Sequence, residues 1–365
     1  MGRTHGGRNR RAPGARGGGR LMLTHVAAAS GAPSSTLVLS ADALPEGEEE
    51  LCGALRDATD WLCERGLDDI TKIALIAPSR HPLFDLDYRF VQVLPGAVNG
   101  FDFRGSCGHS ILASVVVASR LGWLPKLAPE HRVRVRVTNN NDRVVCEVDE
   151  SVRDRTTFTV HFLRQQEPRL DSLLPDGQVL TGLSTSEGGI RVSQVSAGNP
   201  YVFVAATDLG VRDVDELFGD SARLYESLSE IRRSAAVHAG LPAEGAFPKV
   251  AALLPDGDAT LAVRALSVPS WHPTIALTGA VCLGAATKIE GTTPHSLAGS
   301  AARPGVPLTI RTPGGSTVAS AAVSGSRPSS TLSWVSVPHK EVVFRGAVDI
   351  DSLRPHTRKD ELLCL

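Results

Sequence analysis

Cys107 has the residue type and neighbours best suited to chemistry. It stands in Gly105-Ser-Cys-Gly108, just before residues 111–121, which are apolar at nearly every position. That pattern predicts a helix enclosed by protein on all sides. A thiol at the start of such a helix meets free backbone N–H groups, which stabilise a thiolate or a bound carboxylate. The flanking glycines would let a ligand come close to the backbone. The competing reading is a small buried hydrophobe, the usual fate of a free cysteine. His109 lies only two residues from Cys107. That is poor geometry for activating the thiol, which weakens a cysteine hydrolase or acyltransferase reading. A second thiol, Cys282, falls in another apolar run, residues 279–288, entered through Thr278-Gly279.

The elements that must position these groups are legible in part. Residues 34–39 predict a strand, and Glu48, Glu49 and Glu50 open a helix where acids suit the positive end of the dipole. Leu51, Leu55, Ala58 and Leu62 share one face of it, and Cys52 and Cys63, eleven apart, read as packing residues on a neighbouring stripe. Residues 71–77 predict a short strand, and 87–93 alternate with period 2. Strands at 132–137 and 143–149 are joined by Asn139-Asn-Asn-Asp142, a hairpin turn. From about Gly188 the order recurs: strands at 190–195 and 200–204, a helix near 220–239, strands at 248–253 and 260–266, then the second apolar helix. Four strand-like runs finish the chain. This repetition suggests duplication with a cleft between the copies: one domain over 21–186 and a second over 187–350, flanked by a basic tail (1–20) and a loose end (351–365).

The motifs, in order, resemble the 2-methylaconitate isomerase family, which includes oxalomesaconate tautomerases and methylitaconate isomerases. Thr71-Lys-Ile-Ala-Leu-Ile-Ala-Pro-Ser79 and Asp85-Leu-Asp-Tyr-Arg-Phe-Val-Gln-Val93 resemble its Thr-Ser-Lys and Asp-x-Asp-Tyr-x-Phe-x-Gln-Val strands. Asp102-Phe-Arg-Gly-Ser-Cys-Gly-His-Ser110 resembles its Asp-x-x-Gly-Asn-Cys-Gly-Asn motif. Ser196-Ala-Gly-Asn-Pro200, Phe247-Pro-Lys249, Arg264-Ala-Leu-Ser267 and Leu277-Thr-Gly-Ala-Val-Cys282 with Gly291-Thr292 follow in order. The resemblance implies an α/β (α+β) fold of the diaminopimelate-epimerase-like type. In it, two similar domains each curl a mixed sheet around a central helix, with the active site between them. It also implies a proton shift in an unsaturated carboxylate, without cofactor or metal.

Such a shift needs a base on the C–H, an acid at the receiving carbon, and donors for the enolate-like charge between them. The resemblance assigns the base to Lys72, which requires burial or a neighbouring charge; the plain alternative is a strand-end lysine in water. Asp102 matches a family acid that would orient Lys72 or relay a proton, or it is a turn aspartate. Ser106, Gly108, His109 and Ser110 complete the motif as substrate-binding positions. Thr278 and Gly279 would offer backbone N–H groups to a carboxylate. Cys282 would be a second site thiol or a packing residue, Asn199 a cleft residue or a turn cap, and Lys249 a compensating cation or a surface lysine.

The departures bear on the substrate. The family's Arg-Gly-Gly-Thr-Ser-Lys anion segment is Ser30-Gly-Ala-Pro-Ser-Ser35 here, and its Gly-rich Ser/Thr loop is Gly66-Leu-Asp-Asp-Ile70. Both motif Asn residues are changed, to Ser106 and His109. An Arg fork is not replaced by serine, and Asp68 and Asp69 would repel a polyanion if they faced the cleft. The expectation is a substrate with fewer anionic groups, or a functionalised natural-product intermediate. A non-catalytic carboxylate-binding accessory protein is the other open reading.

Composition excludes several classes. With 42% hydrophobic and 21% charged residues in 365, the chain is not wholly disordered. No apolar run reaches a membrane span. Residues 1–20 hold six Arg and no acid, so the rest carries 32 basic against 39 acidic groups, unlike a nucleic-acid binder. The tail lacks the apolar core of a secretion signal and the spacing of an import signal. Six dispersed cysteines without C-x-x-C fit free thiols in a reducing cytoplasm, and Leu-Leu-Cys-Leu around Cys364 is not a prenylation box. The partner expected is a small carboxylate, with neither nucleic acid nor membrane, and the sequence leaves room for a homodimer.

Overall fold

The computed structural model describes residues 23–94, 100–164, 166–268, 270–325 and 330–357. The basic tail (1–20) and Cys364 lie outside them. The first half runs β1 (Leu23–Ala29), β2 (Thr36–Ser40), α1 (Glu48–Cys63), β3 (Lys72–Pro78), β4 (Leu86–Val93), β5 (Phe101–Asp102), α2 (Gly108–Arg120), β6 (Arg132–Val137), β7 (Arg143–Val152) and β8 (Arg155–Leu163). Next come β9 (Thr181–Thr185), β10 (Gly188–Ala197), β11 (Asn199–Ala205), α3 (Val214–Phe218), α4 (Ala222–His238), β12 (Lys249–Pro255), β13 (Thr260–Ser267) and β14 (Ser270–Trp271). α5 (Leu277–Ala286), α6 (Thr293–Leu297), β15 (Leu308–Thr312), β16 (Gly315–Ser324) and β17 (Thr331–Asp349) complete the order.

The duplication is visible in strand pairing. From β1 through β4 and β6 to β8, successive neighbours pair antiparallel, parallel, antiparallel, parallel, antiparallel, antiparallel. From β10 through β13 and β15 to β17 the same order recurs. Alternation sets the two faces of β6: Val133, Val135 and Val137 face inward, while Arg134 and Arg136 pair with Asp85 and Asp87 at the outer face. α2 and α5, buried along nearly their whole lengths, supply the apolar centre of each half. α1 packs the predicted Leu51, Leu55, Ala58 and Leu62 face, and Cys52 packs beside it.

Four features differ from expectation. Cys63 is exposed rather than packed, because it closes the last turn of α1 away from the buried stripe. Among the described residues the chain ends in three strands rather than four, since β17 is one continuous strand of 19 residues. Its second part pairs with both β8 and β1, closing the first half's strands into a ring around α2. The 21–186 and 187–350 partition therefore does not follow the hydrogen bonding, as residues 337–349 belong to the first half's sheet. Residues 351–356 are not loose: they form a 3-10 turn with Leu353 buried against α1, and Ser352 and His356 bond Asp57. Among the described residues no helix is long and apolar enough to cross a membrane.

Candidate active site

Four buried polar residues form one row across β2, β3, β4 and β5. Thr36 pairs with Lys72, Lys72 with Gln92, and Gln92 with Asp102. Directly paired residues point to the same face. That face is the α2 side, since Ala74 and Ile76, which share the parity of Lys72, pack in the core around α2. Lys72 is therefore only 4% exposed and not a strand-end residue in water. No hydrogen-bond or ion-pair partner of its ammonium is present among the described residues.

Cys107 is the N-cap of α2, at the end of the helix that meets this row. Thr36 Oγ1 lies 2.9 Å from Ser110 Oγ, and the Tyr88 hydroxyl donates to Cys107 O at 3.2 Å. Burial opposes ionisation of the thiol. The Lys72 and Lys249 charges and hydrogen bonding by the Ser110 hydroxyl and backbone outweigh it, so the Cys107 pKa is lowered. Ser110 thus acts on the sulfur.

The second half supplies the rest. Lys249, at the start of β12, is half-buried rather than a surface lysine; its Nζ donates to Ser267 Oγ at 3.3 Å. Burial above all, with the Lys72 charge adding, lowers its pKa to about 8. His272, between β14 and α5, is 1% exposed. Its Nδ1 accepts the Thr274 N–H at 3.1 Å, which places the proton of the neutral ring on Nε2, a buried nitrogen without a partner among the described residues. The His109 and His272 rings stack with centroids 6.1 Å apart. Burial, reinforced by nearby lysine charges, drives both pKa values well below the usual histidine range, so both rings are neutral. His109 Nδ1 and Ser106 Oγ are likewise buried and without a partner among the described residues. Among the described residues, three buried polar atoms beside a thiol and lysines thus leave hydrogen-bonding capacity that a polar ligand or water could take up.

Several expected site residues have other tasks. The Asp102 carboxylate accepts from Arg104 N and Nε through Oδ1, at 2.9 and 3.2 Å, and from Ala246 N through Oδ2 at 3.3 Å; it braces loops and does not orient Lys72. Asn199 does not cap its own turn: buried at the junction of the two halves, it clamps Ser106 and donates to Thr278 Oγ1 at 3.1 Å. The Gly279 N–H is spent on Ala276 O at 2.7 Å, and a Cβ there would overlap Tyr201. Gly105 and Gly108 admit Phe247 and Leu277 from the second half rather than a ligand. Cys282 is six residues inside α5, whose N-cap is Ala276, so it is not the counterpart of Cys107. Its thiol meets Val195 O at 3.2 Å, and burial raises its pKa to about 12. Asp68 and Asp69 are exposed.

His272 was not found from the sequence. The signal available was position: Trp271-His-Pro273 leads into the second apolar helix as Asp102–Ser106 leads into the first. Among the described residues no group of three or more His, Cys, Asp or Glu is placed to hold a metal.

The family model described as PrpF protein matches residues 66–349. The 3-methylitaconate isomerase of Eubacterium barkeri is 28% identical over 268 residues, 62% of this chain and 70% of that protein. The 2-methyl-aconitate isomerase of Cupriavidus necator is 25% identical over 290 residues, 64% of this chain and 70% of its own. Among solved structures, methylitaconate-delta-isomerase superposes with a TM-score of 0.60 at 24% identity, covering 92% of this chain and 97% of the other. A hydroxyproline epimerase from Agrobacterium vitis also superposes with a TM-score of 0.60, at 16% identity over 89% and 93%. These likenesses establish the epimerase-like fold expected from the motifs.

Proposed function

The chain belongs to the PrpF protein family, and on that premise we propose that it is an isomerase that moves a proton between two carbons of an unsaturated carboxylate, using Cys107 and Lys72. The observation that carries this reading is the placement of Cys107 at the N-cap of α2, at the end that meets the buried row holding Lys72, and the Lys72 and Lys249 charges favour its thiolate. In one direction the thiolate takes the proton from the carbon beside a carboxylate. The electron pair shifts to form the new double bond, and the old double bond is protonated at its far carbon by the Lys72 ammonium. The resulting thiol and amine then exchange a proton to restore the ion pair. In the reverse direction Lys72 is the base, the role the motif assigns it, because the two directions share one path. The neutral His272 Nε2–H and the Lys249 ammonium meet the charge that develops on the carboxylate, where preorganised donors contribute most.

Proton NMR in D2O tests this with 3-methylitaconate, 2-methylaconitate and 4-oxalomesaconate. The expected result is deuterium entering the allylic position together with isomerisation of at least one of them, lost in Cys107→Ser. Saturable binding of these acids without any exchange would instead support a non-catalytic carboxylate-binding protein.

A further inference from the structure

Resting on that reading of the site, we propose that Lys340 binds a substrate carboxylate remote from the reacting carbon, supplying the cation that loop 30–35 lacks. Strict alternation along β17 from the inward Val337 would turn His339 inward and Lys340 out. The strand instead carries a bulge: pairing with β8 passes from Val337 opposite Val160 to Lys340 opposite Phe158, and His339 takes φ 54° with its side chain exposed. Lys340 therefore faces the same side as the buried Phe158 and Val342, which pack in the core around α2. Bulges that re-aim one side chain are frequent beside active sites.

The neighbourhood fits that role. Ser30 N–H donates to Glu341 O at 2.9 Å, and Thr274 Oγ1 donates to Gly31 O at 2.8 Å, so loop 30–35 spans from Lys340's neighbour to the His272 segment. Glu341 is held by Arg155 at 3.1 Å, and no acid pairs with Lys340 among the described residues. Burial lowers the Lys340 pKa to about 8, and its charge acts on His109, whose Nδ1 is unpartnered. An unpaired lysine on a core face costs stability unless an anion completes it. Lys72, Lys249 and Lys340 against one thiolate leave two positive charges, the complement of a dicarboxylate.

Calorimetric titration with methacrylate, citraconate and cis-aconitate, which carry one, two and three carboxylates on a shared carbon frame, tests the assignment. Wild type is expected to bind citraconate roughly 10- to 100-fold more tightly than methacrylate, the range of one charge-assisted hydrogen bond. Lys340→Met and Lys340→Gln should bring the two acids within about twofold by weakening citraconate alone, and Lys340→Arg should keep most of the preference. Variants that discriminate like wild type would overturn the proposal, as would equal weakening of both acids. Binding is read without turnover: an intact series with no proton exchange would sink the isomerase reading, whereas a flat series with exchange intact would sink only Lys340.

Discussion

Asn199 holds the backbone of Ser106 across the two halves of the chain: its Oδ1 accepts the Ser106 N–H at 3.0 Å and its Nδ2 donates to Ser106 O at 2.7 Å. The next residue is Cys107, so a side chain from β11 sets where the thiol cap of α2 sits. The same Nδ2 reaches Thr278 Oγ1, tying the first turn of α5 into the junction. The position of the Cys107 sulfur is thus an inter-half property.

Asn199→Ala leaves the buried Ser106 N–H and C=O unpaired, at about 1–3 kcal/mol for each group. A clear drop in denaturation midpoint is expected, together with a turnover loss larger than any change in KM. A variant as stable as wild type would show that water or a shifted loop replaces the clamp.

Peptide-resolved alkylation should find Cys107 reacting at a pH below that of an ordinary thiol, with the core thiol Cys282 inert. Lys72→Met removes a charge that favours the thiolate, so the Cys107 profile must move to higher pH. Turnover in Lys72→Met and in Cys107→Ser should each fall at least roughly 10²-fold. An unmoved alkylation profile would mean that Lys72 does not act on the sulfur.

Lys249→Met should stabilise the protein near neutral pH by roughly 1–2 kcal/mol while lowering activity, since burial penalises the charged amine. The folded-state pKa of about 8 lies below the unfolded value. The penalty is therefore full below about 8 and fades as pH rises toward 10.5. Denaturant melts across that window should show wild type gaining on the variant, and parallel curves would contradict the assignment.

Gly105→Ala places a methyl where the Phe247 ring lies. Overpacking of this kind costs about 1–3 kcal/mol. If the junction between halves is as tight as described, Phe247→Ala should restore part of the loss in the double variant, and strict additivity would show that the two positions do not touch.

The enclosed helix α2, the acid-opened α1 and the Val-Arg alternation of β6 are legible in the sequence because their signals are local periodicities. The repeated order of elements was readable for the same reason. Lys72 was legible only as a motif position. Its burial follows from the parity it shares with Ala74 and Ile76, which becomes decisive once the packed face is known. The apparent symmetry of Cys107 and Cys282 misled because Gly and Cys recur near both apolar runs, whereas the N-caps, Cys107 and Ala276, are what correspond.

By itself, then, the sequence determined the family, the mixed fold and the thiol at the start of a buried helix, since each rests on residues close together in the chain. Only the tertiary structure decided the charge around that thiol. Lys249, whose charge acts on it, comes from 142 residues away, Lys340, whose charge acts on His109, lies 233 residues away, and the bulge that turns Lys340 inward is set by how β17 pairs with β8. Register between distant strands depends on which faces are buried together. A linear pattern does not state that, and it is what made these lysines and histidines neighbours.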